Sequence, residues 1–179
     1  SSGNIQSTLL QTASLNGGEV NINANKDFNN LAASINVTKN TLTDGSTTSG
    51  NLTIAAGDDI NINTLQLRNR TEESWGGKKG GGTRITDTTT NLASEINSSG
   101  SINLTANSDV NITGSNLSTA SDITIVAQND VNIKAAQDTS YSESTSYSKG
   151  QTVSKSSINI NESLKNINWH RSYFSYLLW

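Results

Sequence analysis

The sequence predicts an all-β solenoid, a coil of short strands stacked rung on rung. Three observations predict it. One phrase of alternating apolar residues returns four times, each return keeps Ala and Asp at fixed offsets, and apolar residues are too sparse for a thick globular core. A strand-built repeat of about 20 residues is the signature of a quasi-one-dimensional stack in which each unit buries its apolar face against its neighbours.

The first copy of the phrase is Val20-Asn-Ile22-Asn-Ala24-Asn-Lys-Asp27-Phe28 and the second is Leu52-Thr-Ile54-Ala-Ala56-Gly-Asp-Asp59-Ile60-Asn-Ile62. The third is Ile102-Asn-Leu104-Thr-Ala106-Asn-Ser-Asp109-Val110-Asn-Ile112 and the fourth Ile123-Thr-Ile125-Val-Ala127-Gln-Asn-Asp130-Val131-Asn-Ile133. Within each, apolar residues alternate with Asn, Thr or Ser, the period of a strand with one buried face. Leu52, Ile54, Ala56, Ile60 and Ile62 are expected to point inward, Thr53 and Asn61 outward. The third and fourth copies start 21 residues apart. At ~3.3 Å per residue that length closes a loop of roughly 70 Å, one turn of a coil with two or three strands. Leu42, Leu67 and Leu117, each seven residues after Ile35, Ile60 or Val110, suggest a third side. In the first rung the second strand starts at either Phe28 or Ile35.

Energetics demand a stack. Each buried Val, Ile or Leu contributes ~1.5–3 kcal/mol. The five or so in one rung do not offset the ordering entropy of its residues, so neighbouring rungs must share faces.

The first and second copies are 32 residues apart and the second and third 50, so insertions are expected. The larger spans about 68–99, with Trp75-Gly-Gly-Lys-Lys-Gly-Gly-Gly82 at its centre. A similar Ser/Thr-rich segment spans about 137–157 and holds Tyr141 and Tyr147. Both read as extended, hairpin-like excursions from one corner of the coil, making residues 1–163 a repeat region with two insertions.

Composition sets further limits. Hydrophobic residues make up 32% and charged residues 15% of the 179, with no Pro, Cys or Met. Without Cys there is neither a disulfide framework nor a Cys-ligated metal site. A formal charge of −3 argues against nucleic acid as the partner. No apolar stretch approaches the ~18 residues of a membrane span. A chain opening Ser-Ser-Gly with no Met anywhere is expected to be a piece of something longer.

The pattern Gly-x-apolar-x-apolar-x-Ala-x-x-Asp-apolar-x-apolar resembles the repeats of filamentous haemagglutinins and contact-dependent growth-inhibition exoproteins. Ile133-Lys-Ala-Ala-Gln-Asp138, followed by a long Ser/Thr/Glu-rich run and Lys149-Gly150, resembles their second repeat class. The resemblance covers roughly residues 1–160. It implies a right-handed parallel β-helix whose rungs carry protruding hairpins. It further implies export through an outer-membrane transporter, and a place on a surface filament of a Gram-negative bacterium that serves adhesion to a host or neighbouring cell or toxin delivery. No cofactor is implied.

Sharper chemistry asks for residue patterns that this chain lacks. Calcium-binding solenoids use Gly-Gly-x-Gly-x-Asp, absent here, so Asp27, Asp59, Asp109 and Asp130 are read as structural turn residues, each bonding its own turn through side chain to backbone. Glycoside hydrolysis needs two carboxyl groups ~5–9.5 Å apart in unlike environments. Asp58-Asp59 is the only adjacent acidic pair on a rung; such neighbours are expected to point apart, and no His lies on a rung. A polysaccharide-binding or polysaccharide-cleaving β-helix is therefore the runner-up. Gly76 to Gly82 lacks the Gly-Lys-Ser/Thr helix start of a phosphate loop. Trp75 beside the basic Lys78-Lys79 tip, with Tyr141 and Tyr147, forms the expected partner contact. The final stretch, 164–179, holds five of the nine aromatics and the only His. It abandons the alternation and is expected to be a shifted reading frame, with an end cap as the alternative.

Overall fold

The computed structural model describes residues 3–6, 11–148 and 157–165. Its contacts divide into two units. The first is a coil of three parallel four-stranded sheets; the second is a single five-stranded sheet.

The coil's Ala-bearing strands form one sheet: β3 (Val20–Ala24), β6 (Leu52–Ala56), β11 (Ile102–Ala106) and β14 (Ile123–Ala127). Their register superimposes the four copies of the phrase. Val20 pairs with Leu52, Leu52 with Ile102 and Ile102 with Ile123, and Ala24, Ala56, Ala106 and Ala127 align likewise. The segments after each Asp form a second sheet from β4 (Phe28–Leu31), β7 (Ile60–Asn63), β12 (Val110–Thr113) and β15 (Val131–Lys134). A third, leading sheet holds β2 (Ser14–Gly17), β5 (Ser34–Val37), β10 (Glu95–Ser98) and β13 (Asn116–Thr119). In chain order each of the four rungs runs through the leading, Ala-bearing and Asp-following sheets in turn.

Alternation does the burying. Leu52, Ile54, Ile60, Ile62, Ile102, Leu104, Val110 and Ile112 are all 0% exposed, while Thr53 and Asn61 face outward and stay half-buried. At the phase of Ile62 the first rung carries Asn30 instead. It is buried, with Oδ1 accepting from Ala33 N–H at 3.2 Å and Ser94 Oγ at 3.2 Å. Outside, Asn side chains form amide ladders along the stack: Asn61 Nδ2 donates to Asn29 Oδ1 (3.0 Å), Asn111 to Asn61 (2.9 Å) and Asn132 to Asn111 (3.0 Å).

The third side differs from the expected set. Leu117 lies on it, aligned with Ile96, and Ile96 with Ile35. Leu42 does not: it sits in the loop after β5 and is 49% exposed. Leu67 does not either, since it belongs to β8 (Leu65–Gly77) of the other unit. Counting forward from the second strand reaches the next leading strand only where no insertion intervenes, as for Leu117. The first rung's second strand starts at Phe28, aligned with Ile60, and Ile35 belongs to the leading strand of the following rung.

The spacing is uneven because segments of different length separate successive rungs. Residues 38–51 leave between β5 and β6, where Asp44 Oδ1 accepts from the Ser46 N–H at 2.9 Å and hydroxyl at 2.6 Å. Between β7 and β10 the chain forms β8 and β9 (Gly80–Leu92). Glu95–Ser98, which the sequence places inside the longer insertion, pairs with β5 and β13 in the coil.

In the first three rungs the turn between the leading and Ala-bearing sheets carries glycine, where the fourth has Ala120. Gly50 N–H donates to Gly18 O (2.9 Å) and Gly100 N–H to Gly50 O (3.0 Å), with Gly50 in the left-handed region at φ 73°. The buried Ser98 hydroxyl closes the corner onto Gly50 O at 2.6 Å.

Candidate contact surface

The four aspartates stack on one another, but not as self-capped turns. Asp27 Oδ1 accepts the Asp59 N–H (3.2 Å), Asp59 Oδ1 the Asp109 N–H (3.0 Å), and Asp109 Oδ1 the Asp130 N–H (3.1 Å). The carboxylates of Asp27, Asp59 and Asp109 thus each reach one rung along, and Asp130 ends the series as a donor through its backbone N–H. Sequence reading missed this because the N–H it meets lies 21 to 50 residues away. An Asp59→Ala chain is expected to lose about 1 kcal/mol of stability, whereas Asp59→Asn, which keeps an acceptor oxygen, retains most of it. Chemical denaturation of the two variants checks this.

Asp58 and Asp59 do not point apart as expected. One carboxylate oxygen from each, with one from Asp27, falls within a span of 4.8 Å. Asp27 and Asp59 already accept backbone N–H groups there, and the cluster faces solvent, with Asp27 and Asp58 exposed and Asp59 half-buried.

The expected partner contacts fall on the five-stranded sheet, in the order β1 (Gly3–Gln6), β8, β9, β16 (Ala136–Ser148), β17 (Ser157–Lys165). Strand β1 runs antiparallel to β8, and β16 antiparallel to β9. The glycine-rich centre is strand rather than loop: β8 extends through Gly77 and β9 resumes at Gly80, leaving only the exposed Lys78 and Lys79 between them. Trp75 lies across Gly82. A Cβ on that glycine would stand 2.6 Å from the indole Cζ2 and 3.0 Å from Cε2. Gly82 is buried, while Trp75 stays 49% exposed.

Tyr141 and Tyr147 lie on β16, with Cα partners Asp87 and Gly81. Both share the sheet with Trp75, and Tyr141 belongs by alternation to the opposite face. The Tyr141 hydroxyl donates to Glu143 Oε2 at 2.7 Å, and that carboxylate raises its pKa. The side chain of Tyr147 lies outside the described residues, as does the stretch 166–179.

A charged network on this sheet escaped the sequence reading. Arg68 grips Asp87 with two bonds, Nη2 to Oδ2 at 2.6 Å and Nε to Oδ1 at 3.0 Å, and Arg70 Nη1 adds a third at 3.2 Å. A turn centred on Lys78-Lys79 sets Arg70 across from Asp87, and Trp75 across from Gly82, so pairing the two arms about that turn would have found both. Arg68 and then Arg70 hold the Asp87 carboxyl at about 2, against an ordinary 3.8. Because the folded value lies below the unfolded one, the carboxylate stabilises the sheet at neutral pH, and that contribution disappears as pH falls from about 4 towards about 2. An Asp87→Asn chain is expected to be less stable at pH 7 and to show a smaller loss on acidification across that window. Urea midpoints measured between pH 2 and 7 test it.

Comparison with known proteins adds one finding. A family profile described as "Hemagglutinin repeat" matches residues 75–170, more than half of the chain. No curated protein matches, and no solved structure matches.

Proposed function

The chain belongs to the hemagglutinin repeat family, and from that premise we propose that it is a structural and interaction segment of a secreted bacterial surface exoprotein. The family is a structural, adhesin-type region rather than an enzyme family. The single observation that carries the proposal is the in-register stacking of all four copies of the phrase. Such a stack keeps its cross-section as rungs are added, which suits a stalk that spaces and presents other elements.

In this reading the coil is right-handed and the paired arms β8 and β9 form a protruding hairpin. The polypeptide leaves a Gram-negative cell through an outer-membrane transporter and serves adhesion or toxin delivery at a host or neighbouring cell. A chain with no Cys crosses an envelope unfolded without forming disulfides on the way. Trp75, Lys78, Lys79, Tyr141 and Tyr147 supply the contacts with that surface, and Asp27, Asp59, Asp109 and Asp130 keep the rungs in step.

The experiment is to probe intact producing cells with an antibody raised against this chain, before and after external protease. Labelling that external protease removes supports the proposal. Labelling that appears only after lysis contradicts it.

A further inference from the structure

We propose that the face of the five-stranded sheet bearing Trp75 binds a neutral saccharide chain, with the indole as its stacking platform. This names the partner class of the surface segment proposed above and rests on that reading for its biological setting.

The ring supplies the first argument. One side of the indole covers Gly82, where a Cβ would collide with Cζ2 and Cε2, yet the residue remains 49% exposed. Glycine at 82 thus lets a large flat ring lie down on the sheet with its outer side bare. A pyranose presents a sheet of C–H groups on one face, and an exposed indole matches it in shape and polarity.

Around the ring hydroxyls predominate. Directly opposed residues on neighbouring strands share a face. Gly82 pairs with Ser146, Arg84 with Ser144, Thr86 with Ser142 and Thr88 with Ser140. A field of hydroxyls therefore extends from the ring along two strands, interrupted by one cation. Hydroxyls both donate and accept, as the hydroxyls of a sugar require. On β8 the residues that share the face of Trp75 by alternation are Glu73, Thr71 and Asn69, so no second apolar side chain adjoins the ring on its own strand. A protein hot spot would cluster apolar anchors there, and an acidic ligand would want more than Arg84.

The test uses the full chain with Trp169→Phe and Trp179→Phe, so that Trp75 is the sole indole. Cello-, chito- and malto-oligosaccharides of four to six units are titrated while its fluorescence is followed. At least one series is expected to quench or shift the emission saturably. Calorimetry should then show Trp75→Ala binding at least about tenfold more weakly, with Trp75→Phe intermediate. Should Trp75→Ala disturb the sheet, Ser144→Val provides the second reading, because it removes a hydroxyl from the same field and is expected to weaken binding too. No saturable response to any of the three series overturns the proposal, as does affinity unchanged in both Trp75→Ala and Ser144→Val. Neither failure touches surface display, which the antibody experiment reads separately.

Discussion

Leu104→Ala is expected to destabilise the coil by about 2–5 kcal/mol, and Leu104→Asp to abolish its cooperative unfolding altogether. Leu104 is 0% exposed and lies in register between Ile54 and Ile125, so a cavity there removes contacts from the rungs on both sides. A carboxylate in the same column has no partner, and an unpaired buried charge costs several kcal/mol. Total stabilities of domains are about 5–15 kcal/mol, so either change takes a large share. The outward neighbour is the control: Asn103→Ser should shift the denaturation midpoint little. Equal loss from Leu104→Ala and Asn103→Ser would show that the alternation does not decide which residues hold the stack together.

The second large effect is expected at the glycine corner. A Cβ on Gly100 would meet Asn51 Oδ1, Ser49 O at 2.7 Å and the Gly50 carbonyl carbon at 2.8 Å. Two of those three atoms are backbone, which cannot swing aside as a long side chain does. Gly100 N–H also donates to Gly50 O, and Asn51 Oδ1 accepts from the Ser101 N–H at 2.8 Å. Moving the chain to admit a methyl group therefore strains both bonds. Gly100→Ala should cost about 1–3 kcal/mol, as overpacking does elsewhere. Gly45, with open space around it on the loop between β5 and β6, is the comparison. Gly45→Asn, suited to its φ of 83°, should leave stability nearly unchanged. Amide exchange at Leu52 and Ile102 would show whether the Gly100→Ala loss begins at this corner.

Two sides of the coil were legible in the sequence because the same residue types recur there at the same phase. Ala at the fourth and Asp at the seventh position after the first apolar residue fix the register of two sheets without any long-range information. The leading sheet carries no such mark. One column of it holds Leu15, Ile35, Ile96 and Leu117, each in a four-residue strand, and the next inward column mixes Val37 with Ser98 and Thr119. Short alternating runs such as Ser34-Ile-Asn-Val37 fit any rung, and only the pairing of distant strands assigns them. The surface was legible residue by residue but not in its arrangement. Trp75 stands out by composition. That it lies on Gly82, or that Arg68 and Arg70 converge on Asp87, follows only once β8 and β9 are paired about Lys78-Lys79. The aspartates show the same limit: their spacing marks a structural role, but the acceptor geometry crosses between rungs and cannot be read within one.

The central claim is the in-register stack, and cysteine pairing tests it most directly. The native chain has no Cys, so an introduced pair reports only on itself. Asn61 and Asn111 face outward as direct partners in adjacent strands although 50 residues separate them in sequence. Neighbouring strands lie ~4.8 Å apart, within the Cα range a disulfide accepts. A chain carrying Asn61→Cys and Asn111→Cys should close its disulfide rapidly under mild oxidation and melt as a folded species. The shifted pair Asn61→Cys and Thr113→Cys, about 8 Å apart, should close far more slowly. Equal rates for the two pairs, or faster closure of the shifted one, would contradict the stack.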